Sequence, residues 1–184
     1  MSKWSNHISH KETACKCGCG LNRMSDEIID RAEVARAMVN VCYYGWTPDG
    51  WNHKPEIKLH ITSGTRCKAH NDSKDVGGAK NSEHIVHTAP CSTCNSTGTL
   101  PGFPQRICYT CMGTGIVPIN DSKALDGYFY YESNGKHIRV DSSDVLIYMW
   151  EMGLINGLVL YNNYRFHIST GRRYSSWKDK RGEA

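Results

Sequence analysis

The sequence has no run of about 18 apolar residues, which removes a membrane-spanning helix from consideration. Its opening, MSKWSNHISHKET, lacks the apolar core of a secretion signal, so the chain is expected to be made and kept soluble in a cytoplasm. An even set of cysteines is missing too: there are nine, at positions 15, 17, 19, 42, 67, 91, 94, 108 and 111. An odd count without a secretion signal argues against a disulfide framework and for thiolates that bind metal. Strong charge of one sign is also absent. Lysine and arginine number 22 against 18 acidic residues, a formal net charge of +4, and much of the excess sits in the closing GRRYSSWKDKRGEA. Such a mild excess favours an anionic partner such as murein or nucleic acid without specifying which, nucleic acid being the less expected of the two; a solvated basic tail is the preferred explanation.

What is present suffices for one folded domain. The 184 residues are 39% AVILMFWYC, and 17 glycines bring the broadly apolar share to about 48%, the usual value for a globular chain. SDEIIDRAEVARAMVNVCYY reads as an amphipathic helix from a cap at Ser25 to about Tyr43. Asp26 and Glu27 suit the positive end of its dipole, Ile28, Ile29, Ala32, Ala35, Val39 and Cys42 recur at helical spacing, and Gly45 stops it. After a loop with Pro48, Gly50 and Pro55, EIKLHITSG alternates Ile57, Leu59 and Ile61 with polar neighbours, as a half-buried strand does. ALDGYFYYES and KHIRVD are expected to pair around Asn134-Gly135, a strong hairpin signal. SSDVLIYMWEMGLIN reads as a second helix, begun by Ser142 or Ser143 and ended near Gly153 or Gly157; GLVLYN, YRFHIST and RRYSSW are short strands. The expected fold is α+β, a small antiparallel sheet with two main helices.

Residues 90–115 differ in composition and read as an insert between the flanks 1–89 and 116–184. CSTCNSTG at 91–98 and CYTCMGTG at 108–115 are two copies of one pattern. A Cys-x-x-Cys turn points two thiolates at one tetrahedral ion, and glycines let the backbone fold close behind the sulfurs. Cys91, Cys94, Cys108 and Cys111 are therefore expected to hold a structural zinc in a zinc-ribbon-like module. The copies resemble the CxxCxGxG repeats of the DnaJ-type zinc module, with Ser96 where that pattern has glycine. The J-domain's HPD is absent, so this resemblance implies a zinc fold and not a co-chaperone. Cys15, Cys17 and Cys19 alternate in CKCGC; with Cys67 they could form a further site, but Cys15 and Cys17 as small buried residues is the preferred reading.

With the insert set aside, HITSGTRCKAHNDSKDVGGAKNSEHIVHTA, ALDGYFYY and YNNYRFHISTGRRYSSW read continuously. They resemble the zinc D-alanyl-D-alanine carboxypeptidase and L-alanyl-D-glutamate endopeptidase family, which cleaves murein peptides and shares a fold with the hedgehog signalling domain. The family's SxHxxGxAxD signature is matched by Ser82 and His84, then by Ala124 and Asp126 beyond the insert, and its distal histidine by His167 in RFHIS. The resemblance implies a catalytic zinc on His84, Asp126 and His167, hence two zinc ions in all, and a substrate-binding part of the site that includes Ser82. Two neutral imidazoles and one carboxylate leave an open fourth position, where the pKa of water falls towards ~7. Arg66, in SGTR, matches an SGxR arginine implied to hold a substrate carboxylate, which a guanidinium can bind bidentately. His87 stands where the family has glycine; surrogate ligand, substrate contact and a residue tolerated at the insertion point are all open, the last preferred.

The resemblance thins at proton transfer. Members usually carry an acidic residue shortly before the distal histidine and HVD at it; here Asn162, Asn163 and Tyr164 precede His167, and Ser169 replaces the aspartate. An amide exchanges no proton near neutral pH, so Tyr164 is left as a candidate oxyanion donor. Glu83, Glu132, Asp141 and Glu151 are the alternative carboxylates, and their spacing selects none of them. The expected function is a zinc-dependent murein peptidase of phage type, an endolysin or virion-associated lysin acting at the cell wall on peptidoglycan stem peptides. The alternative is a catalytically impaired relative serving as a virion structural or adaptor component with phage protein partners. A nucleic-acid- or protein-binding zinc module is the third reading.

Overall fold

The computed structural model describes residues 5–44 and 55–177. Gly45, Pro48, Gly50 and the end of the basic tail lie outside the described residues. Helix α1 (His10–Thr13) opens on a reciprocal cap, in which Ser9 and Glu12 each accept a backbone N–H of the other. Helix α2 (Asp26–Tyr44) starts where Ser25 Oγ accepts the N–H of Ile28. Its residues Ile28, Ile29, Ala32, Ala35 and Val39 are buried, but Cys42 is exposed together with Val41 and Tyr43. That departs from the expected stripe, because the last turn of the helix runs out past the core. Near that end Asn40 takes over: its side chain accepts the N–H of Ile57 and donates to the Ile57 carbonyl, tying the helix to the start of a strand.

Strand β1 (Lys58–Ser63) leads to β2 (Arg66–Cys67), helix α3 (Lys68–Asn71), β3 (Ile85–Val86) and β4 (Thr88–Pro90). Next come β5 (Thr99–Leu100), β6 (Phe103–Ile107), β7 (Ile116–Pro118), β8 (Ala124–Ser133) and β9 (Lys136–Val140). Helix α4 (Ser143–Glu151), β10 (Gly157–Leu160), β11 (Phe166–Ser169) and β12 (Tyr174–Trp177) complete the chain. The architecture is α+β. Beside α2 and α4 there are two one-turn helices, α1 and α3, that the patterning did not announce.

The main sheet runs β1-β8-β11-β10-β12, with β9 also paired to β8. The ten-residue β8 is its spine, and the turn to β9 uses Asn134 and Gly135 at φ +50° and +70°, as the Asn-Gly dipeptide requires. The sheet is mixed and not purely antiparallel: β12 lies parallel to β10. The reason is the path from β11, which turns at Gly171 and passes round β10 to its far edge instead of hairpinning back.

Alternation decides which face does what. On β8, Leu125 and Phe129 are fully buried against the helices, as are Phe166 and Ile168 on β11 and Leu59 and Ile61 on β1. Each such side chain contributes about 1.5–3 kcal/mol by leaving water. Asp126 and His167 fall on the opposite face, away from α2 and α4.

Residues 88–118, between β3 and β8, are closed at their base by the antiparallel pair β4–β7, apart from the main sheet. Their interior is the four cysteines, with only Leu100 and Val117 packed on them. The two copies superimpose in their details: Thr97 Oγ1 donates to the Cys94 carbonyl and Thr114 Oγ1 to that of Cys111, both at 2.6 Å. Asn95 and Met112 stand at φ +49° and +50°, Ser96 and Gly113 at +65° and +85°. Ser96 thus holds a left-handed conformation that its twin meets with glycine. Ser96→Gly is expected to stabilise this segment by about 0.5–1 kcal/mol, the relief of that strain less the added freedom of the unfolded chain. Chelator-driven unfolding followed by hydrogen exchange over residues 91–115 measures it.

Candidate functional site

Three strand contacts assemble the site. In the β8–β11 register Asp126 and His167 are direct partners, so two residues 41 positions apart stand side by side on one face. On the other side of Asp126 is Ser63, after a bulge in β1. His84 arrives through the parallel pair β2–β3, where the Arg66 N–H donates to the His84 carbonyl at 2.9 Å. The same turn presents the Gly64 carbonyl, which accepts the Nδ1–H of His84 at 2.7 Å. Gly64 is needed there, since a Cβ would stand 2.6 Å from the Thr13 carbonyl oxygen.

The consequence is a buried trio. His84 Nε2 lies 3.2 Å from His167 Nδ1 and 3.3 Å from Asp126 Oδ1, and the last two are 2.7 Å apart. The three residues are 2%, 7% and 8% exposed for His84, Asp126 and His167. Ligands about 2.0–2.1 Å from a tetrahedral zinc are about 3.3 Å from each other, and the two His84 separations match that. His167 and Asp126 stand closer, at hydrogen-bond distance. Two imidazoles with one carboxylate are a donor set that suits that ion. The Nδ1–H bond to Gly64 leaves the lone pair of a neutral His84 on Nε2, facing the trio. Burial lowers the His84 pKa and so favours that neutral form. Burial alone would raise Asp126, but the two adjoining imidazoles, His167 and His84, outweigh it and hold the carboxyl well below the usual range.

Arg66 is at the site, against Asp126: Nη2 donates to Asp126 Oδ2 at 2.8 Å, and Nε to Ser63 Oγ at 2.8 Å. Its guanidinium therefore steadies the carboxylate of the trio from behind. Arg66→Ala is expected to weaken zinc retention by about 10–100-fold, the usual effect of removing a group that orients a metal ligand; competition with a chromophoric chelator reads it.

The structure does not bring Tyr164 to the trio. It is half exposed, at φ +60°, and makes no hydrogen bond with His84, Asp126 or His167. The phenol at the site is Tyr174, on β12, whose Oη is 2.6 Å from His167 Nε2. Burial raises the Tyr174 pKa and keeps its proton on. That hydroxyl donates in turn to Glu83 Oε2 at 3.5 Å, while Glu83 Oε1 accepts the N–H of Arg172 at 2.6 Å. Gly171 makes the approach possible, because a Cβ there would meet Glu83 Oε1 at 1.9 Å. Of the four alternative carboxylates, Glu83 is the one near the trio: Glu132 pairs with Lys58, Asp141 accepts the N–H of Ser143, and Glu151 is exposed at the end of α4. Nothing in the sequence pointed to Tyr174, because its place depends on the parallel strand.

Ser82 Oγ accepts the His84 N–H at 3.4 Å, shaping the turn before the histidine. His87 is exposed, and its backbone N–H donates to Asn120 Oδ1 at 2.7 Å at the base of the β4–β7 stem. Ser82, Glu83, His87, Lys123 and Arg172 line a groove of about 420 Å³, which Glu83 shares with the chain of contacts from His167 through Tyr174.

The second group is Cys91, Cys94, Cys108 and Cys111, all buried, with Sγ atoms within 4.8 Å of one another. Cys91 and Cys108 are 3.9 Å apart, Cys94 and Cys111 3.6 Å. Sulfurs about 2.3 Å from a tetrahedral zinc stand about 3.8 Å apart. The N–H groups of Gly98 and Gly115 donate to Cys94 and Cys111 Sγ at 3.3 Å. Burial raises Cys94 to about 11; at Cys111 it is outweighed by the Gly115 N–H and the neighbouring thiols, which bring it down to about 7.

Residues 6–95 match the family model described as Peptidase M15. That stretch contains Arg66, Ser82 and His84, while Asp126 and His167 lie beyond it. The match supports a zinc-peptidase type of function. No curated protein and no solved structure matches the chain. No helix among the described residues is long and apolar enough to cross a membrane.

Proposed function

We propose that the chain is a zinc-dependent peptidase that cleaves murein stem peptides, with His84, Asp126 and His167 holding the catalytic ion. Residues 90–115 are then a module inserted into a peptidase-like domain of residues 1–89 and 116–184, closed by a structural zinc on Cys91, Cys94, Cys108 and Cys111. The observation that carries the reading is the convergence of three buried ligand atoms, all within 4.8 Å of one another, from the turn before β3 and from strands β8 and β11. The Peptidase M15 match over residues 6–95 supports the peptidase reading. An endolysin or virion-associated lysin is the setting that the sequence resemblance supplies.

A zinc ion in such a site supplies Lewis acidity, polarising an amide carbonyl and bringing the pKa of water towards about 7. The side chains do the rest. Gly64 fixes the His84 ring, and Arg66 fixes the Asp126 carboxylate. With His167 Nδ1 turned to the trio, its Nε2–H donates to Tyr174, and Tyr174 donates to Glu83. This chain orients His167 and ends on a carboxylate that lines the groove, where a proton can be taken up and returned to a leaving amine. The resemblance gives Arg66 and Ser82 to substrate binding, whereas here the Arg66 guanidinium is engaged by Asp126 and Ser63, and Ser82 Oγ by the His84 N–H.

Tyr174→Phe is expected to lower kcat about 10–100-fold while zinc is retained, and Glu83→Gln to lower it by about 10²–10⁴-fold. The direct test of the function is digestion of purified murein with detection of new amino termini. They are expected to appear, to vanish with chelator and to return with zinc. Zinc-loaded protein that releases none would leave the impaired relative, a binding or adaptor component, as the better reading.

A further inference from the structure

Eight of the nine cysteines fall into two groups of four, and one group takes no part in the proposed peptidase. Cys15, Cys17 and Cys19 lie just after α1, and Cys67 ends β2. Their four Sγ atoms are all within 4.8 Å of one another. Cys17 Sγ is 3.4 Å from Cys15 Sγ and 3.6 Å from Cys67 Sγ. A covalent disulfide would bring a pair to about 2.05 Å, whereas thiolates on one tetrahedral zinc stand about 3.8 Å apart. Of the pair read from sequence as small buried residues, only Cys15 is buried; Cys17 is exposed, and so is Cys19. Two exposed alternating thiols have no packing reason to cluster with a third from 50 residues away.

The backbone around them is shaped as it is in the insert. Gly18 and Gly20, at φ +81° and +74°, turn the chain after Cys17 and after Cys19. Amide donors converge on the sulfurs: Cys67 N–H reaches Cys15 Sγ at 3.4 Å and His70 N–H reaches Cys67 Sγ at 3.3 Å. His70 Nδ1 is 3.2 Å from Cys15 Sγ and can add a further N–H. Gly98 and Gly115 stand in the same relation to Cys94 and Cys111. Donors aimed at sulfur stabilise thiolate charge, which is what a cation requires of its ligands.

We propose that Cys15, Cys17, Cys19 and Cys67 bind a zinc ion of their own, a four-thiolate site that ties the N-terminal segment to the turn beneath the trio. That turn is the one that matters to the trio. Thr65 N–H donates to the Thr13 carbonyl at 2.8 Å, and Arg23 N–H to Thr65 Oγ1 at 3.0 Å, so residues 13–23 clasp residues 63–67. The clasped turn holds Gly64 against His84 and Arg66 against Asp126. The ion at Cys67 closes the clasp one residue from Arg66.

The test compares zinc content by native mass spectrometry in the full chain, in a C17S/C19S double variant and in C42S. Cys17 and Cys19 are exposed, so serine disturbs no packing. The double variant is expected to carry one ion fewer than the parent, and C42S the same number. Cobalt-loaded parent should show thiolate-to-metal absorption for eight sulfurs, and the double variant about half of it. Equal metal in parent and double variant overturns the proposal, as does a disulfide among these four residues in protein isolated without oxidant. Should the double variant not fold, the parent's cobalt spectrum decides: eight thiolates support the site and four overturn it.

Discussion

His84→Ala is expected to reduce murein hydrolysis by at least about 10³-fold and to remove one zinc ion per chain. Even one hydrogen-bond donor taken from a preorganised site costs about 10²–10³ in rate, and here the group taken would itself be a ligand. Its ring is 2% exposed and has two engagements, Nδ1–H on the Gly64 carbonyl and Nε2 on the trio. Alanine empties the position, leaves the Gly64 oxygen without its donor and leaves Asp126 and His167 as two protein ligands, too few for a catalytic zinc. The unpaired carbonyl and the cavity cost about 2–4 kcal/mol of stability, so the variant should fold but melt lower. Hydrolysis, metal content and thermal melting on one preparation separate these effects. Retention of every ion by His84→Ala would sink the ligand assignment.

Cys94→Ser is expected to unfold the insert and leave the peptidase working. Structural zinc contributes about 10–16 kcal/mol to the folding of small zinc-finger peptides. Residues 91–115 have no other core, since their only buried cluster is the four cysteines with Leu100 and Val117 at its edge. The base of the stem is held separately. Asn120 accepts the His87 N–H and donates to the Ile85 carbonyl, Lys123 N–H donates to the Glu83 carbonyl at 2.9 Å, and Ser122 N–H to that of Arg23 at 2.7 Å. These bonds keep the approach to Asp126 in place when the module beyond them melts. Limited proteolysis should cut within residues 91–115, while murein hydrolysis stays within a few-fold of the parent. Complete loss of hydrolysis would show that the module helps to build the site.

Much of this was legible because it depends on local patterns. Alternation in ALDGYFYYES and RFHIS set the faces of β8 and β11, and Asn134-Gly135 set their neighbour's turn. The paired CxxC turns announced their cluster because ligand spacing is local within each copy. What was not legible depends on topology. Parallel pairing of β12 with β10 brings Tyr174 to His167, and parallel β2–β3 sets Arg66 against the strand that follows His84. Neither leaves a periodicity. Tyr164, close to His167 in sequence, was the natural phenol to choose, yet the turn at Asn163 and Tyr164, both with positive φ, sends it to solvent. The grouping of Cys15, Cys17 and Cys19 with Cys67 was open in the sequence but not preferred, since Cys67 lies 50 residues from Cys17 and no local spacing joins them.

The most direct measurement is a zinc-edge anomalous difference map from crystals of the zinc-loaded chain. A peak is expected within bonding distance of His84 Nε2, Asp126 Oδ1 and His167 Nδ1, on the sheet face opposite α2 and α4. Peaks confined to the cysteine groups, with His84 and His167 still hydrogen-bonded to Asp126 and no density between them, would contradict it.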